Sequence, residues 1–205
     1  MYILPKENIK YYFENLFSFK DIGNTLIYLK IDISGWIVSD LFQKINNFKL
    51  LKYLYIKELN FTKDLCLKLN ELSMLSIKES NIINVLKNSM YPKLKELYYY
   101  DSYYKIKIDE IENANFKVLK FLILDAGYSN ISNIKELEKG NFSNLVILKL
   151  TKSDSLDIYL YIFENEKFKE LKELDLSNTH IIIINVLKKF KFNNLEKLNI
   201  IYNKI

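Results

Sequence analysis

The pattern Leu-x-x-Leu-x-Leu, or a close variant of it, occurs eight times in the 205 residues. Its first leucines are Leu26, Leu51, Leu72, Leu94, Leu119, Leu145, Leu171 and Leu195, at spacings of 21 to 26 residues. The last two apolar positions of each copy are two residues apart, so they face the same side of a short strand. The residues between them face the other side. One such strand cannot bury its apolar side alone; stacked copies can, and they do so around a continuous core.

A second pattern keeps the same register. Before five of these leucines stand an apolar residue, another three on, an aromatic five further, and then the Leu three later. Ile83, Leu86, Tyr91 and Leu94 make the first set, and Ile108, Ile111, Phe116 and Leu119 the second. Ile134, Leu137, Phe142 and Leu145, then Leu160, Phe163, Phe168 and Leu171, then Ile184, Leu187, Phe192 and Leu195 complete it. Apolar residues at i and i+3 predict a short helix or helical turn in each return segment. The returns near Leu41–Phe48 and Leu65–Leu69 are irregular.

Together these residues resemble the leucine-rich repeat family, whose periods run to about 20–29 residues. The resemblance spans residues 26–205 as eight repeats and implies an α/β solenoid. A curved parallel sheet would line its concave face, with short helices or turns on the convex face. In the family an Asn three residues beyond the last Leu bonds the turn backbone. That position holds Ser34, Leu59, Ser80, Ser102, Gly127, Ser153, Thr179 and Asn203, so only Asn203 matches. Hydroxyls can take over the role, whereas irregular turns are expected at Leu59 and Gly127.

Residues 1–25 stand outside the repeat. Ile9, Phe13, Leu16 and Phe17 share one helical face behind Pro5, which predicts an N-terminal helical cap over the first repeat. Leu4-Pro5-Lys6-Glu7 with Ile9, Phe13 and Leu16 also resembles the opening of an F-box. That alternative implies a substrate receptor of a ubiquitin ligase. At the other end, the eighth repeat runs to Ile205 without a return segment, so an open edge there is expected to offer self-association.

The composition limits the function. There are 4 Gly, 2 Pro, 2 Ala and no Arg, against 28 Ile and 16 Tyr. AT-rich codons account for much of this skew. The net charge of +5 is a mild excess spread along the chain, as in a solvated surface. No apolar run reaches the roughly 20 residues of a membrane span, and the N-terminus is charged where a signal peptide would be apolar. An intracellular protein without membrane insertion is expected. Cys66 is the single cysteine and is expected in the core.

No chemistry-bearing constellation emerges. His180 is the one histidine and is expected in a turn. No second His or nearby Cys completes a zinc set, and the four scattered glycines build no phosphate loop. Neither enzymatic activity nor a cofactor is expected. The candidate site is instead the concave face, formed by the second, fourth and sixth residues after each first Leu. Its first five repeats present Tyr28, Tyr53, Tyr55, Tyr98, Tyr100 and Phe121, edged by Lys30, Lys57 and Lys78. Aromatics of this kind favour protein interfaces, because they cover large area with few rotors. A protein partner is therefore expected. Aromatics interleaved with Lys could also stack nucleic-acid bases, but the absence of Arg and the concave acids weigh against that alternative.

Overall fold

A computed structural model describes residues 2–3, 24–32, 44–58, 66–80, 86, 89–103, 106–108, 111, 116–127, 130–132, 134–140, 142–153, 157–164, 166–181 and 188–203. The chain forms a nine-stranded parallel sheet. In chain order its strands are β1 (Tyr2–Ile3), β2 (Tyr28–Asp32), β3 (Tyr53–Lys57), β4 (Met74–Lys78) and β5 (Glu96–Tyr100). Then come β7 (Phe121–Asp125), β9 (Ile147–Thr151), β10 (Glu173–Asp175) and β11 (Lys197–Asn199). Two short strands, β6 (Ile106–Lys107) and β8 (Ile131–Ser132), form a separate parallel pair. Apart from that pair, neighbours in sequence are neighbours in the sheet. Each strand of the nine-stranded sheet from β2 onward starts two residues after a first leucine of the repeat.

The same hydrogen bonds join every repeat to the next. The carbonyl before each strand accepts two successive N–H groups at the start of the following one. Ile27 O takes Lys52 N and Tyr53 N, and Lys52, Ser73, Lys95, Lys120, Val146 and Lys172 repeat the arrangement at 2.8–3.1 Å. This shared acceptor holds all strands in phase. The aromatic-x-x-Leu spacing has an equally local cause. The Leu N–H donates to the carbonyl three residues back, closing a turn, at Phe48–Leu51, Leu69–Leu72, Tyr91–Leu94, Phe142–Leu145 and Phe168–Leu171.

In-phase strands stack like side chains on like. Leu29, Leu54, Leu75, Leu97, Leu122, Leu148, Leu174 and Leu198 pair in one unbroken ladder. All but Leu198 are completely buried. Each buried leucine contributes about 1.5–3 kcal/mol of hydrophobic stabilisation. A second inner row runs Ile31, Ile56, Ile77, Tyr99, Leu124, Leu150 and Leu176, also buried. Tyr99 fits because its hydroxyl reaches Ser80 O at 3.3 Å and Asp101 Oδ2 at 3.4 Å. Behind these rows stand the return aromatics Phe48, Tyr91, Phe116, Phe142 and Phe168, all buried. Tyr91 stacks on Phe116 at 6.1 Å and Phe116 meets Phe142 at 6.5 Å. Return segments include 3-10 helices at Ile134–Glu138, Asp157–Glu164 and Glu166–Phe168. Ile134 and Leu137, the expected i, i+3 pair, are both buried.

The strands end in a recurrent left-handed residue. Glu58, Glu79, Lys152, Asn178 and Tyr202, each seven after a first leucine, have φ between 49° and 59°. In the fifth repeat the left-handed residue is one later, at Gly127 with φ 59°. The turn is thus irregular there, and glycine is needed twice over: a Cβ would lie 2.4 Å from Ser102 Oγ and 2.8 Å from Ser102 Cα. Leu59 lies outside the described residues. Asn203 bonds the turn of the preceding repeat. Its Oδ1 accepts from Thr179 N and Ile181 N at 3.0 Å, and its Nδ2 donates to Leu176 O and Ile200 O at 2.8 Å. Hydroxyls take over at other turns: Thr179 Oγ1 donates to Leu176 O at 2.6 Å, and Ser153 Oγ accepts from Ile131 N at 3.0 Å.

Three expectations need correction or limits. Cys66 is exposed rather than in the core. Alternation along its segment turns Leu67 and Leu69 inward and leaves Cys66 and Lys68 outside. Tyr2–Ile3 adds a strand the repeat pattern does not contain, pairing with the free edge of β2. The expected cap helix and the F-box-like residues from Leu4 to Phe17 lie outside the described residues.

Two substitutions test this fold. Leu122→Ala should lower unfolding free energy by about 2–5 kcal/mol, whereas Ile123→Ala, on the opposite face, should cost far less; urea unfolding measures both. Gly127→Ala should destabilise by at least about 1–2 kcal/mol from backbone conformation alone.

Candidate functional site

The register brings the outward residues into three parallel rows. The first runs Tyr28, Tyr53, Met74, Glu96, Phe121, Ile147, Glu173 and Lys197. The second runs Lys30, Tyr55, Ser76, Tyr98, Ile123, Lys149, Asp175 and Asn199. The third begins Asp32, Lys57, Lys78, Tyr100, Asp125 and Thr151. All nine candidate residues, Tyr28, Lys30, Tyr53, Tyr55, Lys57, Lys78, Tyr98, Tyr100 and Phe121, therefore share this outer face across β2, β3, β4, β5 and β7. Except for Ser76, the residues of these rows are half-buried or exposed.

The aromatics fall in two groups on either side of β4, Tyr28, Tyr53 and Tyr55 in one and Tyr98, Tyr100 and Phe121 in the other. Tyr28 and Tyr53 lie 6.5 Å apart, tilted by 36°, and Tyr53 is 41% exposed. Lys30 Nζ sits 5.0 Å from the centre of the Tyr55 ring, a cation–π contact. Tyr98 Oη donates to Glu96 Oε2 at 2.9 Å. Partial burial pushes the Tyr98 phenol up to about 12, and its hydrogen bond to Glu96 adds to the shift. Burial raises Tyr55 and Tyr100 as well, helped by Asp32 and Asp125 respectively. These hydroxyls thus remain neutral donors far above neutral pH.

The charges divide the face into two halves. Toward β11 they neutralise one another. Glu173 meets Lys149 at 2.5 Å and Lys197 at 3.1 Å, and the Lys149 hydrogen bond holds its carboxyl below the usual range. Asn199 donates to Asp175 at 3.1 Å. Toward β2 the balance differs. Lys57 is bound by Glu58 at 2.7 Å and by Asp32 at 3.6 Å, and the Glu58 bond raises the lysine. Lys30 and Lys78 have no carboxylate partner among the described residues.

Ser76 is the feature that composition alone does not flag. It is 6% exposed because Tyr55 and Tyr98 flank it in register while its own side chain is short. The signal was its place in the row: a two-atom side chain between two rings. Elsewhere, His180 follows the turn at residues 177–178 and has φ 55°. Cys66 precedes β4 and His180 follows β10, with β5, β7 and β9 between those strands. Among the described residues no group of three or more His, Cys, Asp or Glu could hold a metal ion, and no helix is long and apolar enough to cross a membrane.

No protein-family model matches the chain, and comparison with curated proteins finds no significant match.

A tyrosine whose folded pKa exceeds its unfolded value of about 10 stabilises the fold fully below that value and loses this contribution as pH rises toward the folded pKa. Unfolding free energy should therefore fall between about pH 10 and 12, and Tyr98→Phe should flatten that fall; urea unfolding across this range, with tyrosinate absorbance, checks both.

Proposed function

We propose that this chain is a leucine-rich repeat solenoid that works without catalysis, binding a protein partner on the outer face of its sheet, which is concave in such an arrangement. The observation that carries this reading is the set of aromatics Tyr28, Tyr53, Tyr55, Tyr98 and Phe121, which the strand register brings onto one face on either side of β4. Side chains on a paired sheet are already ordered, so a partner that covers them loses little conformational freedom at this surface. Large rings with polar tips are the residue class that anchors protein interfaces. The exposed, unbridged thiol of Cys66 suits a reducing, intracellular setting.

The test is a triple substitution, Tyr55→Ala, Tyr98→Ala and Phe121→Ala. All three side chains point away from the core, so circular dichroism should be unchanged while partner capture is lost. Unaltered capture would overturn the assignment of this face.

A further inference from the structure

The sheet differs at its two edges. At one edge Tyr2–Ile3 pairs with β2; at the other, β11 has β10 on one side and, among the described residues, no strand on its far side. The apolar layer is uncovered at that same end. Phe168, Leu171, Leu174 and Leu176 of the seventh repeat are at most 1% exposed. Leu198, the counterpart of Leu174, is 41% exposed, and Phe192, Leu195 and Ile200 are only partly buried. The backbone gives this edge a definite polarity. Along a parallel strand, alternate residues bond to either side. Lys197 N donates to Lys172 O and Asn199 O accepts from Leu176 N, so Lys197 and Asn199 serve β10. Leu198, between them, turns its N–H and C=O to the open edge.

We propose that a second copy of this chain closes the edge, the two β11 strands pairing antiparallel about a two-fold axis at Leu198. The edge is self-complementary there, as a two-fold interface requires. Leu198 of each copy donates its N–H to the other's Leu198 carbonyl, the two bonds that directly opposed residues of antiparallel strands exchange. The axis stands perpendicular to the sheet, so inner side chains meet inner side chains. The leucine ladder that reaches Leu198 continues into the ladder of the second copy. The partly buried Phe192, Leu195 and Ile200 of both copies then lie in one layer. On the outer face Lys197 opposes Asn199 of the other copy, so like charges do not meet. Neighbouring positions of the axis fit less well. An axis at Lys197 sets lysine directly against lysine. An axis at Asn199 directs Leu198 N–H to Ile200 O, which Asn203 Nδ2 already occupies at 2.8 Å.

Sedimentation equilibrium of the full chain at micromolar concentration should give twice its mass of 24.5 kDa. Leu198→Pro removes the N–H that faces the edge and none that serves β10. It should weaken the dimer at least tenfold while circular dichroism stays unchanged. A cross-link tests the register without that variant. Directly opposed residues next to the exchanged pair lie about 4.5 Å apart at Cα, within the range a disulfide spans. In a Cys66→Ser background, a mixture of Lys197→Cys and Asn199→Cys chains should therefore form disulfide-linked dimers on mild oxidation, while either variant alone should not. A monomer, an assembly larger than a dimer, or a dimer that a folded Leu198→Pro variant keeps would overturn the proposal. So would a mixture that cross-links no better than its components, which would place the contact on another surface or in another register. If Leu198→Pro unfolds, the mass of the unaltered chain and the mixed cross-link decide the matter.

Discussion

One carbonyl shared by two amide groups sets the register of the sheet. It recurs from Ile27 to Lys172, and each recurrence places the next strand in register with the last. The consequence is a sheet in which a residue's neighbours are its counterparts in adjacent repeats. Leucine meets leucine, aromatic turn residue meets aromatic turn residue, and an outward residue meets an outward residue. A slip of one residue would turn every leucine of the ladder to the open face. The buried ladder and the shared acceptor therefore enforce the same register from two directions.

That register has a local cost at the strand ends. After β3, β4, β7, β9, β10 and β11 the chain turns toward its return segment through a left-handed residue that is a glycine only at position 127. A non-glycine in that conformation costs on the order of 1 kcal/mol. The interstrand bonds made there offset it: Glu58 N donates to Lys78 O, Glu79 N to Tyr100 O, and Asn178 N to Ile201 O, at 2.7–3.0 Å. Buried hydroxyls and Asn203 satisfy the backbone groups that the turn would otherwise leave unpaired. The scarcity of glycine is thus compatible with these tight turns because the hydrogen bonds, rather than intrinsic flexibility, hold them.

The same stacking builds the candidate face. No local sequence signal joins Tyr55 to Tyr98, which are separated by more than one repeat; β4 brings them to either side of Ser76. Ion pairing then distinguishes the two ends of the face. Glu173 bridges two lysines and closes its half electrostatically, while Lys30 keeps company with a ring rather than a carboxylate. The surface is asymmetric in charge although its backbone is nearly periodic.

Much of this was legible in the residues alone. The positions of eight strands and the inward and outward alternation follow from the Leu-x-x-Leu-x-Leu spacing, since a period of two leaves a strand no other way to bury both apolar residues. The membership of the three outer rows follows from that alternation. The buried partner of Phe116 follows from the aromatic spacing. Other features depend on contacts between repeats. Cys66 stands in an apolar context, yet its segment alternates and its neighbours Leu67 and Leu69 take the core. Tyr2–Ile3 is too short to read as a strand until β2 presents an edge to it. Asn203 matched a pattern, but its bonds to Thr179, Ile181 and Leu176 exist only because the turn of the preceding repeat lies beside it. Which lysines are occupied could not be read from spacing at all, because an ion pair depends on the reach of side chains across strands, and only the stacked structure sets that reach.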